Sequence, residues 1–266
     1  MKALVTGVSR GIGRGICLRI ARDALARGEE AWIAATATGR SSDLGETVGE
    51  LEKLGARAIA IPGDLSDPET PARLVAETER FCGGLDALVC NAGFPLVGNL
   101  TDIKLRHWDL MFSLNVRSAL LLGRAAHAAL ARSRGAICAI ASTSATEPVA
   151  GLAGYAASKA ALVMLAREMA VEWGPDGIRV NCVSPGSTRS RSTEAAFADP
   201  EALRERAESI PLRRVAEPED IAAVVSFLVG PDAGYVTGQN IVMDGGRSLT
   251  RARTSGAMPW KNERRT

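Results

Sequence analysis

The sequence predicts one α/β domain built on a doubly wound parallel sheet with helices on both faces. Short apolar runs rich in Ile, Val and Ala alternate with helix-like segments along almost the whole chain. These runs are continuous rather than alternating polar and apolar, as strands are when both faces of their sheet are covered. The first run leads directly into a glycine-rich turn, Thr6-Gly7-Val8-Ser9-Arg10-Gly11-Ile12-Gly13, that opens an amphipathic segment. A strand, a glycine turn and a helix start make a cradle for an anion, because the backbone can approach closely and first-turn N–H groups lack partners. The glycine spacing is G-x-x-x-G-x-G rather than G-x-G-x-x-G, so the turn alone also reads as one without a ligand.

The elements follow in order. Strands are expected at 3–5, 31–36, 58–61, 85–90, 135–141, 178–183 and 239–243. Between them, 42–54 reads as a helix stopped by Gly55, and 68–81 as a helix with Asp67 as N-cap. Long helices are expected over 107–131 and over 153–173, the second stopped by Gly174-Pro175, and shorter ones over 200–209 and 218–228. Helical connections of this kind give right-handed crossovers between parallel strands, with ligand bound outside the strands' carboxyl ends. After Asp244-Gly245-Gly246 the pattern stops. Residues 1–246 therefore form the domain and 247–266 a basic tail, read as a solvated segment or as an arm docking on a neighbouring subunit through Trp260.

Composition excludes several classes. A formal charge of +2 gives no basic field for nucleic acid. No apolar run approaches the roughly 18 residues needed to span a bilayer, and the first strand starts too near Met1 to leave room for a signal peptide. The five cysteines are scattered without a C-x-x-C pair, which fits reduced, buried thiols in a cytoplasmic protein and no metal site. His107 and His127 read as structural or surface residues.

Tyr155 and Lys159 carry the chemistry. Their spacing at the start of a helix places both on one face, and an ammonium beside a phenol lowers its pKa. A tyrosine tuned in this way can exchange a proton with a substrate oxygen. A lysine snorkelling past a half-buried tyrosine is the plainer alternative. Small flanking residues (Ala156, Ala157, Ser158, Ala160) and a serine-rich turn, Ser142-Thr143-Ser144, favour the chemical reading.

In order, Thr6-Gly7…Gly11-Ile12-Gly13, Asp64, Asn91-Ala92-Gly93, Asn115, Ser142, Tyr155…Lys159 and Pro185-Gly186 resemble the short-chain dehydrogenase/reductase family over residues 1–246. The resemblance implies a Rossmann-type domain with a seven-stranded parallel sheet, and hydride transfer between a nicotinamide cofactor and an alcohol or carbonyl. It makes Tyr155 the general acid or base, with Lys159 lowering its pKa and holding the nicotinamide ribose. Ser142 would polarise the substrate oxygen, with Ser144 as the competing serine. Asn115 would support a water relay toward Lys159, or else merely kink a helix. Gly7, Ser9, Arg10, Gly11, Ile12 and Gly13 would cradle the pyrophosphate, Asp64 and Leu65 border the adenine, Asn91, Ala92 and Gly93 line the cofactor floor, and Pro185, Gly186 and Thr188 lie against the nicotinamide. Ser190 stands where the family often has threonine.

Charge indicates the cofactor. No acid follows the second strand before Asp43, whereas Arg10, Thr38 and Arg40 stand near the expected ribose. Two guanidiniums suit a 2′-phosphate, so NADP(H) is the expected cofactor and NAD(H) the alternative. The stretch 14–30 is longer than the family's usual length, which extends the first helix or adds a turn. The glycine loop and Thr36-Ala37-Thr38 are similar to those of 3-oxoacyl-carrier-protein reductases. That favours a 3-oxoacyl thioester over a sugar, steroid or small alcohol, with a non-catalytic dinucleotide sensor as the alternative of another class. The charged segment 187–210 reads as a solvated face or, alternatively, as a site for an acidic substrate group. The family implies a homotetramer or homodimer paired through the two long helices.

Overall fold

The computed structural model describes residues 1–39, 42–93, 95–189 and 197–253. In chain order these form β1 (Lys2–Thr6), α1 (Ile12–Ala26), β2 (Trp32–Thr36), α2 (Ser42–Lys53), β3 (Arg57–Ala60), α3 (Thr70–Cys82) and β4 (Ala87–Cys90). Then come α4 (Leu105–Phe112), α5 (Ser118–Ser133), β5 (Ala136–Ile140), α6 (Tyr155–Trp173), β6 (Arg179–Pro185), α7 (Pro200–Glu208), α8 (Pro218–Val229) and β7 (Asn240–Met243). The strands form one seven-stranded sheet in the order β3-β2-β1-β4-β5-β6-β7, and every pair is parallel. The winding reverses between β1 and β4, where open sheets of this type bind ligands.

Both faces are covered, which explains the continuous apolar runs. Successive side chains on a strand point to opposite faces. Leu4, Ala34, Leu88, Ile137 and Cys182 enter one core with Leu74 of α3, Leu122 of α5 and Leu162 of α6. Val5, Ile33, Val89, Cys138 and Val183 enter the other with Ile16 and Ile20 of α1 and Ile221 of α8. All five cysteines are unpaired and buried, and burial raises each thiol's pKa. No helix among the described residues is long and apolar enough to cross a membrane.

Three local expectations need correction, and one open alternative is resolved. The stretch expected as one helix over 107–131 is two, α4 and α5, joined by a π turn at Ser113–Arg117 in which the Ser118 N–H bonds the Ser113 carbonyl. Asn115 lies inside that turn, and its amide reaches out of the helix. Asp67 is not the N-cap of α3, which begins three residues later. Its carboxylate instead takes the Glu69 N–H at 3.0 Å and the Thr70 hydroxyl at 3.3 Å, closing a turn ahead of the helix. The extra length after the glycine loop lies in α1, which continues to Ala26. Finally, the chain stays regular past Gly246. Asp244 accepts the N–H groups of Gly246 and Ser248 at 2.8 and 2.7 Å, launching a 3-10 turn over Arg247–Arg253. Trp260 and the rest of the tail lie outside the described residues.

Candidate active site

The glycine loop is fitted to its neighbours at the ångström level. Gly7 has a φ of 70°, and a Cβ there would stand 2.9 Å from the Ala92 Cα. At Gly13 a Cβ would stand 2.2 Å from the Gly7 carbonyl oxygen and 2.6 Å from the Asn91 amide nitrogen. Asn91 donates that amide to the carbonyls of Thr6 and Gly7, both at 2.9 Å, while the Thr6 hydroxyl accepts from the Asn91 and Ala92 N–H groups. Asn91 therefore pins the loop to the end of β4, a role its motif did not reveal. The loop opens α1 at Gly11 with no side-chain cap and no acid in the first turn. A dinucleotide pyrophosphate fits that arrangement: unpartnered N–H groups, a positive helix end and a backbone stripped of side chains. Ser9 and Ile12 are half-buried along it and Arg10 is exposed.

Arg10 is not simply poised for a ligand. Its Nε and Nη2 donate to the two oxygens of Asp43 at 2.8 and 2.7 Å. The acid that seems too remote in sequence is brought back because α2 begins beside the glycine loop. Thr38 is exposed at the end of β2, while Arg40 lies outside the described residues. Asp64 is exposed, with its carboxylate accepting the Ser66 N–H, and Leu65 is buried behind it.

The proton-handling side chains converge at the carboxyl ends of β4 and β5. Ser142 follows β5 and accepts the Ser144 N–H at 3.1 Å, which leaves its own proton to point elsewhere. That hydroxyl acts on the Tyr155 phenol, drawing its pKa down, whereas Ser144 is buried. Tyr155 begins α6, whose entry is packed hard against α4: a Cβ on Gly154 would lie 2.3 Å from the Trp108 ring. One turn on, Lys159 is 3% exposed and donates to the Ile140 carbonyl at 2.7 Å. Its Nζ is 5.8 Å from the centre of the Tyr155 ring. Asn115 donates to the Ser158 hydroxyl at 2.9 Å, and Ser158 donates to the Tyr155 carbonyl at 2.8 Å. The Asn115 Oδ1 and Lys159 Nζ border the same point, 3.1 and 3.2 Å from where a Gly93 Cβ would be. Asn115 thus bonds a side chain across to α6, not backbone alone. The sequence marks Ser158 only as a small flanking residue and Trp108 not at all, since a serine among alanines and an isolated tryptophan carry no pattern.

The electrostatics differ from expectation in one respect. Burial raises the Tyr155 pKa, and the Ser142 hydroxyl opposes it only in part. Burial also lowers Lys159 to about 8. An ammonium 5.8 Å from the ring and bonded to a carbonyl is too indirect to outweigh desolvation of the phenolate.

Lys159 also links the site to stability. Its folded pKa is depressed, so between pH 8 and 10.5 the unfolded chain holds the proton that the native chain has lost. The cost of the buried ammonium is therefore complete below about pH 8 and is relieved as pH rises toward the unfolded value. Lys159→Met is expected to raise the unfolding free energy at pH 7 by on the order of 2 kcal/mol, less what the Ile140 carbonyl loses, with the gain gone by pH 10.5. Denaturant titrations at both pH values check it; a destabilised variant at pH 7 would refute it.

On the far side, Gly186 packs on Asp244, where a Cβ would stand 2.7 Å from the Asp244 Cβ, and its N–H bonds the Met243 carbonyl. Pro185 ends β6, and Thr188 is buried, bonding the Gly186 carbonyl at 3.2 Å. Ser190 and Arg191 lie outside the described residues. In α7, Arg204 pairs with Glu201 and Glu208 and no residue is buried, as a solvated face requires. His127 pairs with Asp176 at 3.0 Å and packs on Trp173, and His107 accepts from Arg106, so neither faces the site. Among the described residues no cluster of His, Cys, Asp and Glu could hold a metal ion.

Comparison with known proteins identifies the family. Residues 7–248 match the family described as enoyl-(acyl carrier protein) reductase. The human mitochondrial dehydrogenase/reductase SDR family member 2 is 36% identical over 91% of this chain and 85% of its own. Glucose 1-dehydrogenase of Gluconobacter oxydans is 36% identical over 93% and 92% of the two chains. A short-chain dehydrogenase from Burkholderia cenocepacia, solved in complex with NADP, superposes with a TM-score of 0.83 at 37% identity, covering 93% of this chain and 97% of that one. The chain belongs to the short-chain dehydrogenase/reductase family and is an oxidoreductase of alcohols and carbonyl groups.

Proposed function

We propose that the protein is an NADP(H)-dependent reductase of a carbonyl group, working reversibly on the secondary alcohol, with Ser142, Tyr155, Lys159 and Asn115 as its site. The observation that carries this reading is the Ser142–Tyr155 hydroxyl pair at the end of β5 with Lys159 buried behind it. The bound nicotinamide would supply or accept the hydride. Negative charge then builds on the substrate oxygen, and the two hydroxyls are donors held in place before reaction. Because burial raises its pKa, Tyr155 is a phenol at neutral pH and is ready to give its proton to that oxygen. The Lys159 ammonium, confined beside the ring, steadies the phenolate that results. Asn115 and Ser158 fix the first turn of α6, and so the direction of Tyr155.

The glycine loop from Gly7 to Gly13 would hold the pyrophosphate, and Asp64, Leu65, Gly93, Pro185, Gly186 and Thr188 the flanking rings. Arg10 favours a 2′-phosphate, and the Burkholderia neighbour binds NADP. For substrate, a 3-oxoacyl thioester is preferred on the resemblance of the glycine loop and Thr36-Ala37-Thr38. The sugar alternative has support from the relative named glucose 1-dehydrogenase. A substrate panel followed by NADPH oxidation, with a 3-oxoacyl thioester, a hexose and a steroid ketone, is expected to give the thioester the highest kcat/KM and NADPH at least about tenfold preference over NADH. Equal or better use of NADH would refute the cofactor assignment.

We further infer self-association through the faces of α4 and α6, where Leu105, Met164 and Val171 are exposed. Light scattering is expected to give a dimer or tetramer; a monomer at micromolar concentration excludes it. The five unpaired thiols support a cytoplasmic location, which cell fractionation would test.

A further inference from the structure

Among the described residues, the fold brings the acid Asp43 to the glycine loop's arginine. The loop lies on the end of β2, with the Gly7 and Val8 N–H groups bonded to the Thr36 carbonyl at 2.8 and 3.1 Å. In folds wound this way the adenosine ribose lies beside that strand end. Arg10 projects from the loop with its side chain 49% exposed, whereas the carboxylate it grips is 10% exposed. The pairing is built into the backbone. Asp43 stands in the first turn of α2, and Thr47 of the same helix donates its hydroxyl to the Val8 carbonyl at 3.1 Å and to the Asp43 carbonyl at 3.0 Å. Farther along, Arg14 of α1 pairs with Glu50 of α2. Helix and loop are thus tied at three levels, which holds the backbone carrying Asp43 beside the loop.

We propose that Asp43 is a cofactor-specificity residue that weakens 2′-phosphate recognition by Arg10 and so keeps NAD(H) usable. The inference rests on the NADP(H) reading above. A guanidinium recognises phosphate through two parallel N–H bonds and its full charge. Here the Nε and Nη2 edge is engaged by a carboxylate, and that carboxylate brings a matching negative charge close to the arriving group. A 2′-phosphate must take a different edge of Arg10 or displace Asp43, and in either case it meets a poorly solvated anion. A plain ribose 2′-hydroxyl carries no charge and meets no such repulsion.

The test measures fragment binding by calorimetry, independently of turnover, using adenosine 2′,5′-bisphosphate and ADP as probes. Asp43→Asn keeps the shape of the side chain and removes its charge. It is expected to tighten the bisphosphate about fivefold and leave ADP within about twofold, an effect that shrinks in 200 mM salt. Asp43→Ser serves the same purpose if the asparagine variant melts early. Arg10→Leu separates the two readings. Should wild type bind both probes equally and Arg10→Leu change neither, the NADP(H) reading and this inference fall together. Should wild type prefer the bisphosphate through Arg10 while both Asp43 variants leave the ratio unchanged or lower it, this inference alone is overturned.

Discussion

Tyr155→Phe is expected to lower kcat for carbonyl reduction by about 10³-fold, with the Kd for NADPH held within about threefold. The substitution removes one hydroxyl and keeps the ring, so the packing of α6 against Trp108 and the Ser158–Tyr155 backbone bond survive. What disappears is the proton donor that burial keeps in its phenolic form. Ser142 remains as a second donor to the substrate oxygen, and this residual polarisation prevents the loss from being total. Steady-state rates with the best panel substrate, together with cofactor fluorescence titration, separate the two parameters. Activity within tenfold of wild type would remove Tyr155 from the chemistry. Survival of the biological function in the dead variant would favour a dinucleotide sensor instead.

Gly13→Ala is expected to have the second-largest effect. The added methyl would overlap the Gly7 carbonyl oxygen at 2.2 Å and the Asn91 amide at 2.6 Å, and neither atom is the loose end of a flexible chain. The Gly7 carbonyl is held by Asn91, and Asn91 is held by Thr6, so the clash must be relieved by moving the whole loop away from β4. A destabilisation of about 3 kcal/mol is expected. Dinucleotide binding should weaken by at least about 10²-fold, because the helix start and the turn no longer share one anion cradle. The control is Gly49→Ala in α2, where nothing lies within 4 Å of the added atom and a gain of about 0.5–1 kcal/mol is expected from helix propensity. Denaturant unfolding of the pair checks both signs; a Gly13→Ala protein that matched the control would show that the loop adapts.

The sheet was legible because the property that defines it, burial on both faces, leaves a direct mark in composition. Runs such as Ala87–Cys90 are apolar throughout, and helix-period segments must lie between them. The site was legible in part for the same reason: Tyr155 and Lys159 are one helical turn apart, so local periodicity already joins them. Ser142 could be placed only as a residue at a strand end, and its approach to Tyr155 depends on how β5 and α6 meet. Contacts between distant segments were illegible. Nothing in the sequence couples Arg10 to Asp43, 33 residues away, or Asn115 to Ser158, 43 residues away. The direction of the Tyr155 shift was missed because the spacing of two residues says nothing about how much water their neighbours exclude. The Asn91-Ala92-Gly93 motif marks a strand end, while the orientation of the Asn91 amide is set by the loop opposite.

The π turn between α4 and α5 has a consequence for how this chain tolerates insertions and deletions. A regular helix advances by about 100° per residue, so one extra residue in a turn offsets everything beyond it by that angle. The offset lets α4 aim Trp108 at Gly154 while α5 aims Leu122 and Ala126 at the sheet. Deleting a single residue at 113–117 would repair the helix and ruin this phase relation, turning one of the two faces toward solvent. The same deletion in the exposed α7, which buries no residue, would rotate nothing that matters. A one-residue gap is therefore far more damaging beside Asn115 than its length suggests, and the irregular turn acts as a phase joint in an otherwise continuous rod.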